Sequence, residues 1–275
     1  MKYTFQSIKY ITKNFIFLFP FVIVPAFCFA LSIDEMALET VLRSLFSGHY
    51  EQLDFDTIFR SVSFLGFSSG WTVLSGLCGF LTLVLGVSLL MAFTDRHMRI
   101  GKRGYHGVFS KLNDNIVSTF GVAFILLLCY ELFALILSAL FFFAFQMAKK
   151  AIVYVFCVVA YSGMHIALLF VITIGYLWLP CMQVTGFRTF EALRYSQQLC
   201  HPIKWKIILN QLWLLVLSEG VIAASVFIPA DNVVPTLVAT AFYAYMIMLF
   251  CVRMQVVYFD RAQIERADLT TYYGR

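Results

Sequence analysis

The sequence predicts an all-α membrane protein: a polytopic six-transmembrane-helix bundle with short cytoplasmic amphipathic helices and the N and C termini inside. Three observations carry this. The 275 residues are 61% hydrophobic and 13% charged, against about 25% charge in a typical soluble domain. Apolar runs of the length needed to cross a bilayer, about 20 residues, recur six times. Sixteen of the twenty Lys and Arg residues fall on segments facing the cytoplasm if the N terminus is inside. The remainder are Arg43, Arg60, Lys149 and Lys150, an asymmetry that follows the positive-inside rule. Strands alternating between a lipid face and a polar lumen face are missing, so an outer-membrane barrel is not expected. The net charge of +5 therefore reads as topology and does not point to nucleic acid.

Residues 1–14 place Phe5, Ile8, Ile11 and Phe15 at helical spacing, with Lys2, Lys9 and Lys13 elsewhere on the wheel. This pattern predicts an interfacial helix feeding the membrane. The first span covers 15–33, with Pro20 and Pro25 inside it. Its apolar core is long and no A-x-A site follows, so it is expected to stay as a membrane anchor and not to be cleaved as a signal peptide. Residues 34–70 form the one sizeable hydrophilic loop. Ser32 with Glu35 has the spacing of a capping box, and two amphipathic runs, 37–46 and 53–65, predict helices lying as a cap on the outer surface. The second span, 71–93, carries Gly76, Gly79 and Gly86, which let neighbouring helices approach closely.

Residues 94–115 hold Arg96, Arg99, Lys102, Arg103 and Lys111, the group expected to face anionic lipid. Val108, Phe109, Leu112 and Ile116 make an apolar stripe there, which predicts a second interfacial helix. The third and fourth spans, 116–146 and 151–179, form a hairpin turning at Lys149 and Lys150. A third amphipathic segment, 187–201, precedes the fifth span, 206–229. Pro229, Asp231, Asn232 and Pro235 make a tight turn into the sixth span, 236–252, which Arg253 is expected to end. The three amphipathic leaders, each followed by a helix pair, form a weak internal repeat in hydropathy.

The motif carried by Gly186-Phe187 and Glu191-Ala192-Leu193-Arg194-Tyr195-Ser196, together with the Gly101–Ser110 loop, resembles elements of a broad bacterial group. That group comprises six-helix proteins similar to the membrane domain of glycerophosphoryl diester phosphodiesterases. The resemblance implies a six-helix bundle with both termini in the cytoplasm. It does not imply phosphodiesterase activity, which belongs to a separate soluble domain in that group.

Three ionisable residues lie inside spans: Glu131, His165 and Glu219. An intramembrane ionisable group is costly and calls for a partner or a neutral form. Glu131 and His165 are each 17 residues from Ala148, so at about 1.5 Å per residue they share one depth. They are expected to meet as a polar clamp, with Glu131 neutral and bonded to His165, Tyr130 or a backbone carbonyl. Glu219 is expected to be shallower and to join only if the fifth span packs on the hairpin. The alternative role for these residues is a proton or cation site in a transporter. Gly66-Phe67-Ser68-Ser69-Gly70 fits G-x-S-x-G but lacks the strand–turn–helix context of a nucleophile elbow. It is read as a helix boundary. The seven cysteines contain no C-x-x-C pair, and neither metal nor cofactor is expected.

The expectation is therefore a non-enzymatic integral protein of the plasma membrane that interacts with lipids or a membrane protein partner. The first alternative is a small secondary transporter using Glu131, His165 and Glu219. The second is a membrane-embedded lipid-modifying enzyme.

Overall fold

A computed structural model describes residues 2–147, 150–228 and 233–269. Among them are ten α-helices: α1 (Lys2–Ser32), α2 (Glu35–Ser47), α3 (Phe55–Val62), α4 (Gly70–Ile100), α5 (Leu112–Phe145), α6 (Lys150–Ile174), α7 (Trp178–Thr185), α8 (Thr189–Cys200), α9 (Lys204–Ser225) and α10 (Val233–Arg261). Six stretches are long and apolar enough to cross a membrane, and the chain is a multi-pass membrane protein with an all-α bundle fold. Large apolar side chains such as Val117, Leu132, Val155 and Val159 lie exposed along α5 and α6, where lipid is the solvent. The turn residue Lys149 and the second turn at Pro229, Asp231 and Asn232 lie outside the described residues.

Tyr3 donates to Asp260 (2.6 Å) and Lys2 pairs with the same carboxylate (3.4 Å), so the first and last helices meet at one end of the bundle. This is termed the terminal end. The other, carrying α2 and α3, is the loop end.

The interfacial leader and first span form one element, with a break at Asn14 (φ −120°, ψ 15°) where the sequence predicts the two to join. The glycines of α4 do what their size permits. A Cβ on Gly86 would stand 2.1 Å from the Phe21 carbonyl oxygen, and one on Gly79 would stand 2.6 Å from the Phe29 ring. Only hydrogen fits between α1 and α4 there. Against this pair lies α10, buried without interruption from Cys251 to Phe259. Buried on every face, this half of α10 is the axis of the terminal end.

The structure corrects several element boundaries. Arg253 does not end the sixth span. It is 4% exposed, inside a helix that runs on to Arg261. Its guanidinium donates to the Tyr176 hydroxyl (3.1 Å) and the Asn210 carbonyl (3.3 Å). The fourth span is broken at Gly175–Leu177, which brings Tyr176 to Arg253. The interfacial helix expected over 104–115 is instead a turn with Gly101, Gly104 and Gly107 at positive φ. It leads through a short 3-10 turn into α5. Helix α8 forms as expected. In it the motif residues act structurally: Glu191 accepts from the Arg188 amide (3.3 Å), and buried Ser196 accepts from the Leu177 amide (3.0 Å). Ser32 is not the cap of α2. Asp34 is, accepting from the Ala37 amide (3.0 Å), while the Ser32 hydroxyl donates to the Phe29 and Phe64 carbonyls.

Replacing Gly86 with Val should force α1 and α4 apart and cost about 1–3 kcal/mol. Gly121→Val, where an added Cβ meets nothing within 4 Å, should leave the thermal midpoint near wild type. Thermal unfolding in detergent followed by circular dichroism measures both.

Candidate functional site

At the loop end α5 and α6 rise past the ends of α1 and α4. The 34 residues of α5 make a rod of about 50 Å, against about 30 Å of hydrocarbon. Helices α2 and α3, with the 3-10 turn between them, pack on the projecting part through Val41, Tyr50, Leu53 and Ile58 against Ala144, Phe145, Val153 and Cys157. They form a roof. Beneath it lies a cavity of about 600 Å³, in the size range of small-molecule sites. Leu38, Leu42 and Leu45 line it from above, Leu137 and Phe141 from α5, and Val216, Gly220 and Ala223 from α9. At its floor are Tyr130, Tyr161, His165, Glu219 and Tyr243.

His165 and Glu219 meet. The imidazole Nε2 lies 3.1 Å from Glu219 Oε1, and Nδ1 donates to the Tyr161 carbonyl (2.8 Å). The Tyr161 hydroxyl donates to the other oxygen of Glu219. His165 is 1% exposed, packed under the edge of Phe133 with ring centroids 5.0 Å apart. The Glu219 side chain is 33% exposed and lines the cavity. Tyr161 lies four residues before His165, on the same helical face. That spacing was available in the sequence.

Glu131 does not meet His165, and this corrects the expected clamp. Its carboxylate accepts from the Ser63 hydroxyl (2.9 Å) and from the backbone amides of Phe64 (3.0 Å) and Leu65 (3.1 Å). Both oxygens are engaged, Oε1 by the two amides and Oε2 by Ser63. The reason for the misreading is helical phase. Phe133, which does touch His165, is two residues on, or about 200° round the helix. Glu219, expected to be shallower than His165, stands level with it, and Glu131 stands level with the loop-end terminus of α1, to which Phe64 links it through Ser32.

Glu131 thus holds the α3–α4 connection, which also rests on Ser32. Gly66 has φ +60°, and a Cβ there would lie 1.9 Å from the Ser32 carbonyl oxygen. Ser69 caps α4, accepting from the Thr72 amide (3.2 Å), so the G-x-S-x-G stretch is a helix boundary. At the rim, Arg60 lies between Asp56 (3.1 Å) and Asp34 (3.8 Å). The roof touches α10 through Glu35, which accepts from the Thr236 hydroxyl (3.3 Å). Burial pushes the Glu35 carboxyl up, and that hydrogen bond opposes it.

The five basic residues at the terminal end divide. Arg99 (3.0 Å) and Lys111 (3.6 Å) both pair with buried Asp95. Arg96 packs beside Gly107. Lys102 and Arg103 are exposed. Comparison with protein-family models, curated proteins and solved structures returned no match.

Glu131→Ala should leave two amides without acceptors and cost about 1–3 kcal/mol. Amide hydrogen exchange should show protection lost at Phe64 and Leu65 and retained in α10. A second outcome follows from Glu35. A carboxyl raised in the folded state favours folding below the ordinary carboxylate range, and that contribution is lost as pH rises through the raised value. Glu35→Gln should therefore gain in thermal midpoint relative to wild type as pH rises, with no gap in acid.

Proposed function

We propose that this is a non-enzymatic membrane protein that holds an amphiphilic, lipid-like molecule beneath the α2–α3 roof. The single observation that carries the reading is the cavity itself. It has apolar walls on four sides, a polar cluster at one level and a volume of about 600 Å³. A site of this composition suits an apolar body with one polar group, since a few placed polar atoms orient a ligand that apolar walls hold. The roof packs on the hairpin mainly through apolar side chains, so an apolar occupant continues that core.

No nucleophile–base pair enters the reading. Ser68 bonds to Thr72 (3.1 Å) at a helix boundary, and His165 is committed to Glu219 and to a carbonyl. The membrane is the plasma membrane and the terminal end is cytoplasmic, which the distribution of Lys and Arg supports. There exposed Lys102 and Arg103 meet anionic headgroups at about 1 kcal/mol each.

The test is native mass spectrometry of protein released gently from nanodiscs. Wild type should retain one lipid-sized adduct per chain. Gly220 lines the cavity, and a Cβ there meets nothing within 4 Å. Gly220→Phe should fill the space and lower adduct occupancy about fivefold or more, with the thermal midpoint kept within a few degrees (a steric block of the kind cavity filling produces). Wild type released bare would remove the proposal.

A further inference from the structure

The hydrogen inventory of the cavity floor identifies the polar group of the occupant. This step rests on the cavity holding an amphiphile. A carbonyl oxygen only accepts, so His165 Nδ1, 2.8 Å from the Tyr161 carbonyl, carries a hydrogen. The Nε2···Oε1 contact of 3.1 Å needs a hydrogen of its own. It is held either as imidazolium against carboxylate or as imidazole against carboxylic acid. Both arrangements are neutral overall and both hold one shared proton, which belongs to the pair.

The hydroxyl donors beside the pair are otherwise engaged. Tyr130 donates to the Val62 carbonyl (3.1 Å), Tyr154 to the Leu45 carbonyl (2.7 Å), Tyr161 to Glu219, and Ser63 to Glu131. Arg60, at the rim, makes no hydrogen bond through its buried Nε, and its charge is met there by Asp56 (3.1 Å) and Asp34 (3.8 Å). Tyr243 adds a hydroxyl able to donate or accept. What the floor offers a ligand is the spare acceptor capacity of Glu219, one-third exposed. A cation brought there beside the shared proton would leave a buried uncompensated charge, which is costly.

We infer that the occupant is a cationic amphiphile whose ammonium head displaces the shared proton of His165 and Glu219. The ammonium keeps its own hydrogens and donates to Glu219 Oε1 and His165 Nε2. The displaced proton leaves to water, and the imidazole remains neutral with its hydrogen on Nδ1. Charge in the site is the same before and after. Every ionisable group facing the pair is accounted for: Tyr154, Cys157 and Tyr161 from α6, Tyr130 from α5, Tyr243 from α10, and Asp34 and Arg60 from the roof. Glu131 is turned to Ser63–Leu65. Affinity for the cation therefore rises with pH, by up to about tenfold per unit while the pair holds its proton.

The experiment is isothermal titration calorimetry of the full chain in nanodiscs. The probes are decylammonium, decanol and decanoate, each in two buffers of different ionisation enthalpy. At about pH 8, decylammonium should bind about tenfold or more tighter than decanol, and more tightly than decanoate. The buffer comparison at about pH 6 should show about one proton released per ammonium bound and none for decanol. Glu219→Gln should bring the decylammonium-to-decanol ratio to about one and abolish the release. Should that variant not fold, the wild-type proton count decides alone. Equal affinity for decylammonium and decanol, preference for decanoate, or ammonium binding without proton release overturns the inference while the cavity reading stands. Failure of all three probes to bind overturns the cavity reading itself.

Discussion

The loop end of this bundle depends on one carboxylate. Between α3 and α4 the backbone turns back against the hairpin and presents the amides of Phe64 and Leu65 to an apolar neighbourhood. Buried amides without acceptors are costly. Glu131 accepts from both amides through Oε1 and from Ser63 through Oε2. The connection is pinned to α5 on one side and to Ser32 on the other. With its end fixed, the α2–α3 pair lies across the hairpin and covers one side of the cavity.

Small residues are used in two opposite ways. In α4, Gly79 and Gly86 admit α1 to van der Waals contact, and the terminal end is packed around the buried half of α10. In α9, Gly220 and Ala223 face no opposing helix closely, and the same lack of side-chain volume leaves space. Packing the first and hollowing the second gives a bundle dense at one end and receptive at the other. The polar cluster lies where the two regimes meet, below the roof and above the packed axis. Imidazole, carboxylate and phenol saturate one another there while leaving one carboxylate face open.

Much of the architecture was legible along the chain. Six apolar runs, the amphipathic helices of the loop between the first two spans and the break before the first span all appear close to where pattern places them. Hydrophobic length and helical period are local properties, and membrane insertion acts on them directly. Boundaries inside apolar sequence were less legible. The break at Gly175–Leu177 and the continuation of α10 past Arg253 depend on the bond between Tyr176 and Arg253. Those residues are far apart in sequence. Ser32 lost its capping role to Asp34 for a similar reason, since its hydroxyl serves Phe64 across the loop.

The candidate site divides the same way. The sequence by itself marked out the ionisable groups set within apolar runs: Glu131, His165 and Glu219 stand out because nearly everything around them is apolar. It could not determine their pairing. In a helix that is apolar on all faces no stripe marks the side that meets a neighbour, so phase is invisible. Counting residues yields depth only relative to a turn whose own height is unknown. Tertiary structure decided both matters. It raised the hairpin above the ends of α1 and α4, turned Glu131 toward the α3–α4 connection and set His165 against Glu219. The cavity between them is defined by six helices at once, and no local stretch of sequence encodes an empty volume.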